Sequence, residues 1–255
     1  MAGADVRVRD TKAGVSDLPV RFASAVVMLC VAGGALWLGG WVWTGFVAVL
    51  ALGVFWEWSR LVSRFGLGPL ARVAWLAGGV IYVGAAAVVM QELRGVASGV
   101  FTAAPPGGWS AWQVLSGMIA PVVAVDVGAY FAGRAIGGPK IAPRISPAKT
   151  WAGLGGGALG AAAVFALTEF FGLGSSGQAA QLNVAGMAYA LLGGALVAVV
   201  AQTGDFFESW MKRRAGVKDS SALIPGHGGL FDRLDGFIAV FFAMFVVASV
   251  TALLG

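Results

Sequence analysis

Charged residues are scarce in this sequence: they make up 11% of its 255 residues, whereas hydrophobic residues make up 58%. A soluble domain carries about 25% charged residues, so this chain has too few to cover a surface that faces water. The composition therefore excludes an ordinary soluble fold and indicates a membrane protein. Glycine is abundant, with 40 residues and no collagen-like period. In lipid this predicts close helix–helix packing, above all along residues 153–160.

Cysteine and histidine are almost missing, since Cys30 and His227 are the only ones. A single cysteine excludes an intrachain disulfide and a multi-thiolate metal site. Cys30 lies in an apolar run and is expected to be a buried, inert thiol. The motifs GxxxxGK[ST], GxSxG and HExxH are also absent, which removes the P-loop, the nucleophile elbow and the zinc-protease helix.

Seven stretches approach the roughly 20 apolar residues needed to cross a bilayer. They lie at 22–39, 41–58, 71–90, 112–133, 151–172, 184–206 and 236–254. Only Gly39 and Gly40 separate the first two, which predicts a tight helical hairpin. The first stretch is expected to be a retained helix rather than a cleaved signal peptide.

The predicted fold class is therefore an all-α integral membrane protein, a polytopic bundle of about seven transmembrane helices. The predicted range is seven to nine, because a split or re-entrant crossing is left open. Residues 1–255 are expected to form one membrane-embedded domain. Its N-terminal helices lie in 1–110, and its catalytic helices and loops in 111–255.

The basic residues are distributed asymmetrically between the two sides of these spans. With the N-terminus in the cytoplasm, 16 of the 17 Lys and Arg residues fall on cytoplasmic segments, and only Arg94 falls outside. This agrees with the positive-inside rule and predicts a multi-pass protein of the inner (cytoplasmic) membrane. Topology thereby explains most of the net charge of +5, so no nucleic-acid partner is expected.

One polar segment begins in the fourth predicted span. Asp126, Tyr130 and Arg134 are spaced i, i+4, i+8, so one helix face carries all three. An aspartate within a span costs at least about 2.5–3.5 kcal/mol on insertion scales, which makes Asp126 a functional candidate. Two structural alternatives stay open: an Asp126–Arg134 pair at the helix end, and ordinary positive-inside charge in the loop that follows.

A second polar segment joins the last two spans. One face at the end of the sixth span carries Gln202, Asp205, Glu208 and Ser209. Asp232 and Asp235 are i, i+3 at the start of the seventh span, near a helix N-terminus. These carboxylates can converge at the cytoplasmic surface, and oxygen ligands without His or Cys suit Mg²⁺. The alternative is a basic loop followed by helix caps, but a cap explains only one aspartate.

Cations and a glycine-rich turn at 225–229 lie between these carboxylates. Glycine lets backbone N–H groups approach an anion closely, and the following helix start carries a favourable dipole. Phosphoryl and nucleotidyl transfer need such parts, because their catalysis is mainly positioning and charge neutralisation. His227 is expected to contact a ligand or order the loop.

Both polar segments resemble those of a known family. The segment from Ser209 through Lys218 and Asp219 to Asp235 is similar to the signature of the phosphatidate cytidylyltransferases, also called CDP-diacylglycerol synthases. The segment from Asp126 to Thr150 is similar to that family's second characteristic block. The first 110 residues resemble the family only in being hydrophobic helices. The chain is also somewhat short, which suggests a missing or merged span.

The resemblance implies a reaction in which CTP and phosphatidate give CDP-diacylglycerol and pyrophosphate. The lipid phosphate would attack the α-phosphorus of CTP in line, and this anionic nucleophile needs no strong base. The resemblance also implies Mg²⁺, with a monovalent cation such as K⁺ left open. The expected partners are CTP, phosphatidate and membrane lipids; a homodimer is left open.

The candidate site residues fall into two groups. The catalytic candidates are Asp205, Asp232, Asp235, Lys218 and Arg233, and the three aspartates are also the metal candidates. The substrate-binding candidates are Asp126, Tyr130, Arg134, Arg144, Ser146, Lys149, Glu208, Ser209, Lys212, Arg213, Asp219, Gly226, His227, Gly228 and Gly229.

Two other functions fit parts of the pattern. A CTP-dependent lipid kinase of the polyprenol type would transfer the γ-phosphate to an alcohol, and it would need a base for the hydroxyl. A cation-coupled transporter would place polar residues along a path through the bilayer midplane, whereas here they cluster at one surface. The products distinguish the two enzymes: CDP-lipid with pyrophosphate, or phospholipid with CDP.

Overall fold

The computed structural model of the protein describes residues 13–94, 110–171 and 184–254, with side chains from residue 19 onward except that of Trp112. The helices in these ranges are α1 (Ala13–Leu38), α2 (Gly40–Ser63), α3 (Pro69–Leu93), α4 (Ala111–Val114), α5 (Ala120–Ala135), α6 (Trp151–Phe170), α7 (Val184–Arg214) and α8 (Phe231–Leu254). A π-helical turn, Leu115–Ile119, joins α4 to α5. Two antiparallel strands, β1 (Lys140–Ala142) and β2 (Ser146–Thr150), form a hairpin before α6.

Seven helical stretches in the described ranges are long and apolar enough to cross a membrane. They coincide with the seven predicted spans, so the all-α membrane class is confirmed. The β1–β2 hairpin forms in a segment predicted as loop. Thr150 ends it and caps α6, because its hydroxyl accepts a hydrogen bond from the N–H of Gly153 at 3.0 Å.

Helix α7 is longer than the predicted span, which ended at residue 206. It continues to Arg214 because the next helix breaker is Gly216, whose φ is +69°. Glu208 and Lys212 also pair across one turn of this extension. The cations predicted between the carboxylates at 212–214 therefore lie on the last turn of α7, where Lys212 faces Glu208 and Arg214 lies over the rings of Phe65 and Trp210.

The tight α1–α2 hairpin is confirmed. Gly39 and Gly40 have φ values of +63° and +49°, which side chains disfavour. Arg94, the cation predicted outside, reaches this corner, and its Nε donates to the carbonyl of Leu36 at 3.1 Å. Arg94 thereby satisfies a carbonyl at the end of α1 that has no partner within the helix.

Cys30 is exposed on α1, so the prediction of a buried thiol is wrong. Helix α1 lies at the edge of the bundle, and only 11% of its apolar window is buried against the rest of the protein. Most of its apolar residues therefore face outward, and Ala35 and Leu36 near its end are buried in the core. A hydrophobic run alone cannot distinguish a lipid-facing position from a core position, because lipid is as apolar as a protein core.

Helices α5 and α6 approach closely along their glycines, as residues 153–160 predict. A Cβ on Gly156 would overlap the side chain of Ala132, and one on Gly160 would lie 2.6 Å from the carbonyl oxygen of Ala124. Small residues on this face allow direct backbone contact between the helices. The two helices pack together against one side of α7.

The contact between α7 and α8 depends on Gly204. A Cβ at this position would lie 2.5 Å from the carbonyl oxygen of Asp235 and 2.5 Å from the Cβ of Ala239. Any larger residue would push the two helices apart. This close approach sets Asp205, the next residue of α7, beside Asp235 of α8.

An aromatic cluster holds α2, α3, α7 and α8 together on the other side. The ring of Trp58 lies 5.7 Å from that of Phe207 and 5.8 Å from that of Phe231, measured between centroids. Trp75 stacks on Trp210 at 5.7 Å. Such pairs stabilise a core by about 0.5–1.5 kcal/mol each beyond the area that they bury. The cluster anchors the end of α2 against the segment that joins α7 to α8.

Candidate active site

Three carboxylates from α7 and α8 form the centre of the site. Side-chain oxygens of Asp205, Glu208 and Asp235 lie within 4.8 Å of one another. Glu208 is 1% exposed, and its Oε1 has no hydrogen-bond partner among the described residues. An unpaired buried carboxylate oxygen is costly. A cation held by these three groups would satisfy it.

Two lysines lie against this carboxylate cluster. The Nζ of Lys212 is 2.8 Å from Glu208 Oε2 and 2.7 Å from Asp232 Oδ1. Lys149, near the end of β2, forms a salt bridge with Asp205. Burial lowers the pKa of Lys149, but the carboxylates of Asp205 and its acidic neighbours outweigh this effect and hold the pKa above its usual value. Lys149 is therefore a cation at neutral pH.

Asp232 lies in the first turn of α8, where it closes the loop that precedes the helix. Its Oδ2 accepts hydrogen bonds from the N–H groups of Gly229 at 2.8 Å and Ser220 at 3.0 Å. Its Oδ1 accepts the bond from Lys212. The role of Asp232 as a metal ligand stays a prediction. In this arrangement the third carboxylate close to Asp205 and Asp235 is Glu208, which was predicted to bind substrate.

The glycine-rich turn at 225–229 is held from two directions. Gly226 and Gly228 have φ values of +75° and +86°, so glycine suits both positions. The Nδ1 of His227 lies 2.8 Å from the hydroxyl of Ser24 on α1. The backbone carbonyl of His227 accepts a hydrogen bond from Arg233 Nη2 at 2.7 Å. Both contacts order the turn.

The first polar segment approaches the centre through Lys149 and also through Asp126 of α5, whose charge interacts with those of Asp205 and Asp235. Arg134 Nη1 donates to the hydroxyl of Tyr130 at 3.0 Å. No ion pair joins Asp126 to Arg134 within the part of the chain that the structure covers, so the predicted structural alternative finds no support. Asp126 is exposed on α5, and its charge is among those that raise the pKa of Lys149.

The remaining candidates differ in how exposed they are. The hydroxyl of Ser209 lies 3.4 Å from Asp205 Oδ1. Ser146 is half-buried in β2. The exposed candidates are Arg144, Arg213, Lys218, Asp219 and Arg233. Long exposed cations can reach a bound phosphate by a change of rotamer, which keeps them as candidates for substrate binding.

Glu57 on α2 contacts the loop that precedes α8. It was not identified as a candidate from the sequence. It is 0% exposed. It accepts hydrogen bonds from the N–H groups of Leu230 at 2.9 Å and Phe231 at 2.6 Å, and from the hydroxyls of Ser220 and Ser221. The carboxylate thus ties the N-terminal half of the chain to the start of α8.

A usable signal for Glu57 was present in the sequence. An acidic residue inside the second predicted span, 41–58, is a functional candidate by the argument that singled out Asp126. Glu57 lies outside the two polar segments and has mainly apolar neighbours in sequence. Its partners lie more than 160 residues away in sequence, as the separation of 163 between Glu57 and Ser220 shows.

An apolar cavity of about 620 Å³ opens beside the carboxylates. Its walls come from α2, α3, α7 and α8, and its aromatic lining includes Trp75, Tyr82 and Phe242. Thr203 and Gly204, which directly precede Asp205, also line it. The cavity is therefore a hydrocarbon-like space between membrane helices, and two of the α7 residues that line it directly precede Asp205 in the chain.

Known proteins resemble this chain along most of its length. The sequence model described as the cytidylyltransferase family matches residues 110–251. A phosphatidate cytidylyltransferase of Brucella suis is 34% identical, over 93% of this chain and 96% of the relative. A Pseudomonas aeruginosa protein of the same name is also 34% identical, over 87% of this chain and 93% of the relative. The chain belongs to the cytidylyltransferase family.

Membership of this family makes the protein a nucleotidyltransferase and confirms the resemblance found in the two polar segments. The likeness also extends further than predicted, since the Brucella suis alignment takes in 93% of the chain and so includes most of the N-terminal helices. The match covers nearly the full length of that relative. The expectation of a missing or merged span stays a prediction.

Proposed function

We propose that this nucleotidyltransferase moves the cytidylyl group of CTP onto phosphatidate, which forms CDP-diacylglycerol and pyrophosphate. The observation that carries the proposal is the carboxylate cluster of α7 and α8, which is flanked by two lysines, together with an apolar cavity between α2, α3, α7 and α8. A reaction between a water-soluble nucleotide and a membrane lipid needs ionic and apolar surfaces side by side. The names of the two relatives support the same reaction.

Mg²⁺ fits the donors of this site, because it takes hard oxygen ligands and is usually held by one or two carboxylates with substrate phosphates. Asp205 and Asp235 would hold it, with Glu208, whose Oε1 has no partner among the described residues, as a third carboxylate within reach. Asp232 stays a candidate ligand beside them. When bound, the ion would neutralise charge on the triphosphate and on the departing pyrophosphate. A monovalent cation such as K⁺ remains a prediction.

In this reaction the side chains of the protein would mainly position the two substrates and neutralise the charge of their phosphates. The phosphate of phosphatidate is an anion at neutral pH, so attack on the α-phosphorus needs no strong base. Lys149 and Lys212 would hold phosphate oxygens close to the carboxylate cluster. Arg213, Lys218 and Arg233 would neutralise the outer phosphates of CTP, since electrostatic stabilisation is often the largest single contribution to catalysis.

The apolar cavity provides a place for an acyl chain of phosphatidate. Its volume of about 620 Å³ lies within the range of roughly 300–1,000 Å³ found for small-molecule sites. Because Thr203 and Gly204 are among the residues that line it, a chain bound there would contact the part of α7 that directly precedes Asp205. We place this site at the cytoplasmic face of the inner membrane, where the basic loops fall by the positive-inside rule.

The test is an assay of the purified protein with phosphatidate, Mg²⁺ and CTP labelled at either the α- or the γ-phosphate. With CTP labelled at the α-phosphate, we expect labelled CDP-diacylglycerol. With CTP labelled at the γ-phosphate, we expect the lipid to stay unlabelled, because that phosphate leaves in pyrophosphate. A chelator should stop the reaction, and added Mg²⁺ should restore it. Label from the γ-phosphate in the lipid, with CDP as the second product, would instead identify a lipid kinase.

A further inference from the structure

Each carboxylate oxygen of Glu57 accepts two hydrogen bonds from the segment between α7 and α8. Oε1 accepts from the N–H of Leu230 and the hydroxyl of Ser221. Oε2 accepts from the N–H of Phe231 and the hydroxyl of Ser220. No ion pair involves Glu57 in the described ranges, so these four donors stabilise its charge. Two of them are N–H groups at the start of α8, where a negative charge is also favoured by the helix dipole.

Ser220 connects Glu57 to the catalytic centre. Its hydroxyl lies 2.9 Å from Glu57 Oε2 and 3.0 Å from Asp232 Oδ2, and its N–H donates to the same Asp232 oxygen. The hydroxyl has one hydrogen, so it donates to only one of the two carboxylates at a time. The N–H donates to Asp232 in either case. Asp232 in turn bonds Lys212, which pairs with Glu208 of the carboxylate cluster.

Gly229 shows how tightly this arrangement is built. A Cβ at this position would lie 2.6 Å from Glu57 Oε1 and 2.8 Å from Oε2. Gly229 was predicted to bind substrate because glycine exposes backbone N–H groups. In the structure its N–H is bonded to Asp232, and the approach of Glu57 excludes a side chain. Glycine at this position therefore serves the contact between α2 and the loop.

We infer that Glu57 is a positioning residue for nucleotidyl transfer. It acts through Ser220 and through the first turn of α8, and it holds the segment 219–231 so that Asp232 and Lys212 face the carboxylate cluster. The kinetic part of this inference rests on the proposed function. The positioning itself can be measured without any activity.

The test uses the full-length protein with Glu57→Gln, which keeps the volume of the side chain. The amide replaces one acceptor oxygen with a donor that faces a backbone N–H, so one buried bond is lost. Hydrogen–deuterium exchange in segment 219–231 is expected to become roughly tenfold faster, whereas exchange in α5 and α6 stays unchanged. The kcat for CDP-diacylglycerol formation is expected to fall about tenfold or more, with KM for phosphatidate changed less than about twofold.

A double-mutant cycle tests the path through Ser220. Ser220→Ala should slow the wild-type enzyme but have a much smaller effect in the Glu57→Gln background, because residues that act as one unit are not additive. If Glu57→Gln does not fold, Ser220→Ala alone should still accelerate exchange in segment 219–231. Unchanged exchange in that variant would overturn the inference.

Glu92→Gln is the matched control, because Glu92 is another buried carboxylate in a membrane helix, at 5% exposure. It should leave exchange in segment 219–231 and the kcat at wild-type values. Wild-type exchange in this segment of Glu57→Gln, or a kcat within about twofold of wild type, would overturn the inference. If the wild-type protein forms no CDP-diacylglycerol, the proposed function fails, while the exchange measurements still decide the positioning role.

Discussion

A carboxylate on a membrane-spanning helix needs partners, because its desolvation is unfavourable. In this protein the partners differ from one residue to the next. Backbone N–H groups and hydroxyls satisfy Glu57, and Lys149 pairs with Asp205. Among the described residues, only one of the two oxygens of Glu208 has a partner. This difference separates a positioning carboxylate from carboxylates that are available to a cation and a nucleotide.

Asp205→Asn is expected to lower the formation of CDP-lipid by about 10²-fold or more, since the amide removes a charge from the centre of the cluster. The variant should still insert and fold, because Asn can accept a bond from Lys149. The measurement is turnover of the purified variant beside its thermal unfolding. Glu169→Gln, at the other end of a neighbouring helix, is the control and should remain active. Turnover of Asp205→Asn within about threefold of wild type would remove Asp205 from the catalytic centre.

A Mg²⁺ titration of Glu208→Gln and Asp232→Asn separates the two candidates for the third carboxylate. A lost ligand should raise the Mg²⁺ concentration for half-maximal rate by about 10-fold or more, since ligand and neighbouring partner substitutions cost about 10–100-fold in metal affinity. We expect the larger rise for Glu208→Gln, whose Oε1 is unpaired. A larger rise for Asp232→Asn would favour the ligand set predicted from the sequence.

Helix–helix contacts through glycine determine where these residues meet. Lipid provides no hydrophobic force between helices, so close packing has to come from small residues. Gly156 and Gly160 bring α6 against α5, and Gly204 brings α7 against α8. The last of these contacts places Asp205 and Asp235 side by side. The geometry of the site therefore depends on positions that carry no functional group.

Gly156→Ala is expected to destabilise the protein by about 1–3 kcal/mol, because its Cβ would overlap Ala132 and force α5 from α6. Gly155→Ala is the matched control, since a Cβ there has nothing within 4 Å. Alanine at this exposed helical position should be neutral or stabilise by roughly 0.5–1 kcal/mol. Thermal unfolding of both variants in the same detergent gives the comparison. Equal unfolding temperatures would contradict the close-packing account.

Elements were predictable to different degrees. The spans follow from long apolar runs, and the α1–α2 corner follows from two adjacent glycines. The length of α7 was underestimated, because its last turns are charged and no longer look like a span. The β1–β2 hairpin was missed, since its strands have only three and five residues and no alternating apolar pattern.

The orientation of the whole molecule can be tested with single cysteines in a Cys30→Ala background. Ala222→Cys lies in the exposed loop between α7 and α8, and Ser175→Cys follows α6 in the sequence. An impermeant maleimide should label Ser175→Cys in cells with an intact inner membrane, and Ala222→Cys only after lysis. This pattern follows from the distribution of Lys and Arg. The reverse pattern would place the carboxylate cluster on the outer side.

The sequence by itself determined the membrane class, the seven spans and the two polar segments, because hydropathy and charge are properties of short stretches of chain. Only the tertiary structure decided which carboxylates meet. Asp205, Glu208 and Asp235 converge because Gly204 lets two helices touch, and Glu57 reaches the loop before α8 from another part of the chain. Such contacts depend on which helices pack together in three dimensions, and a local pattern of small residues indicates close packing without specifying the partner helix.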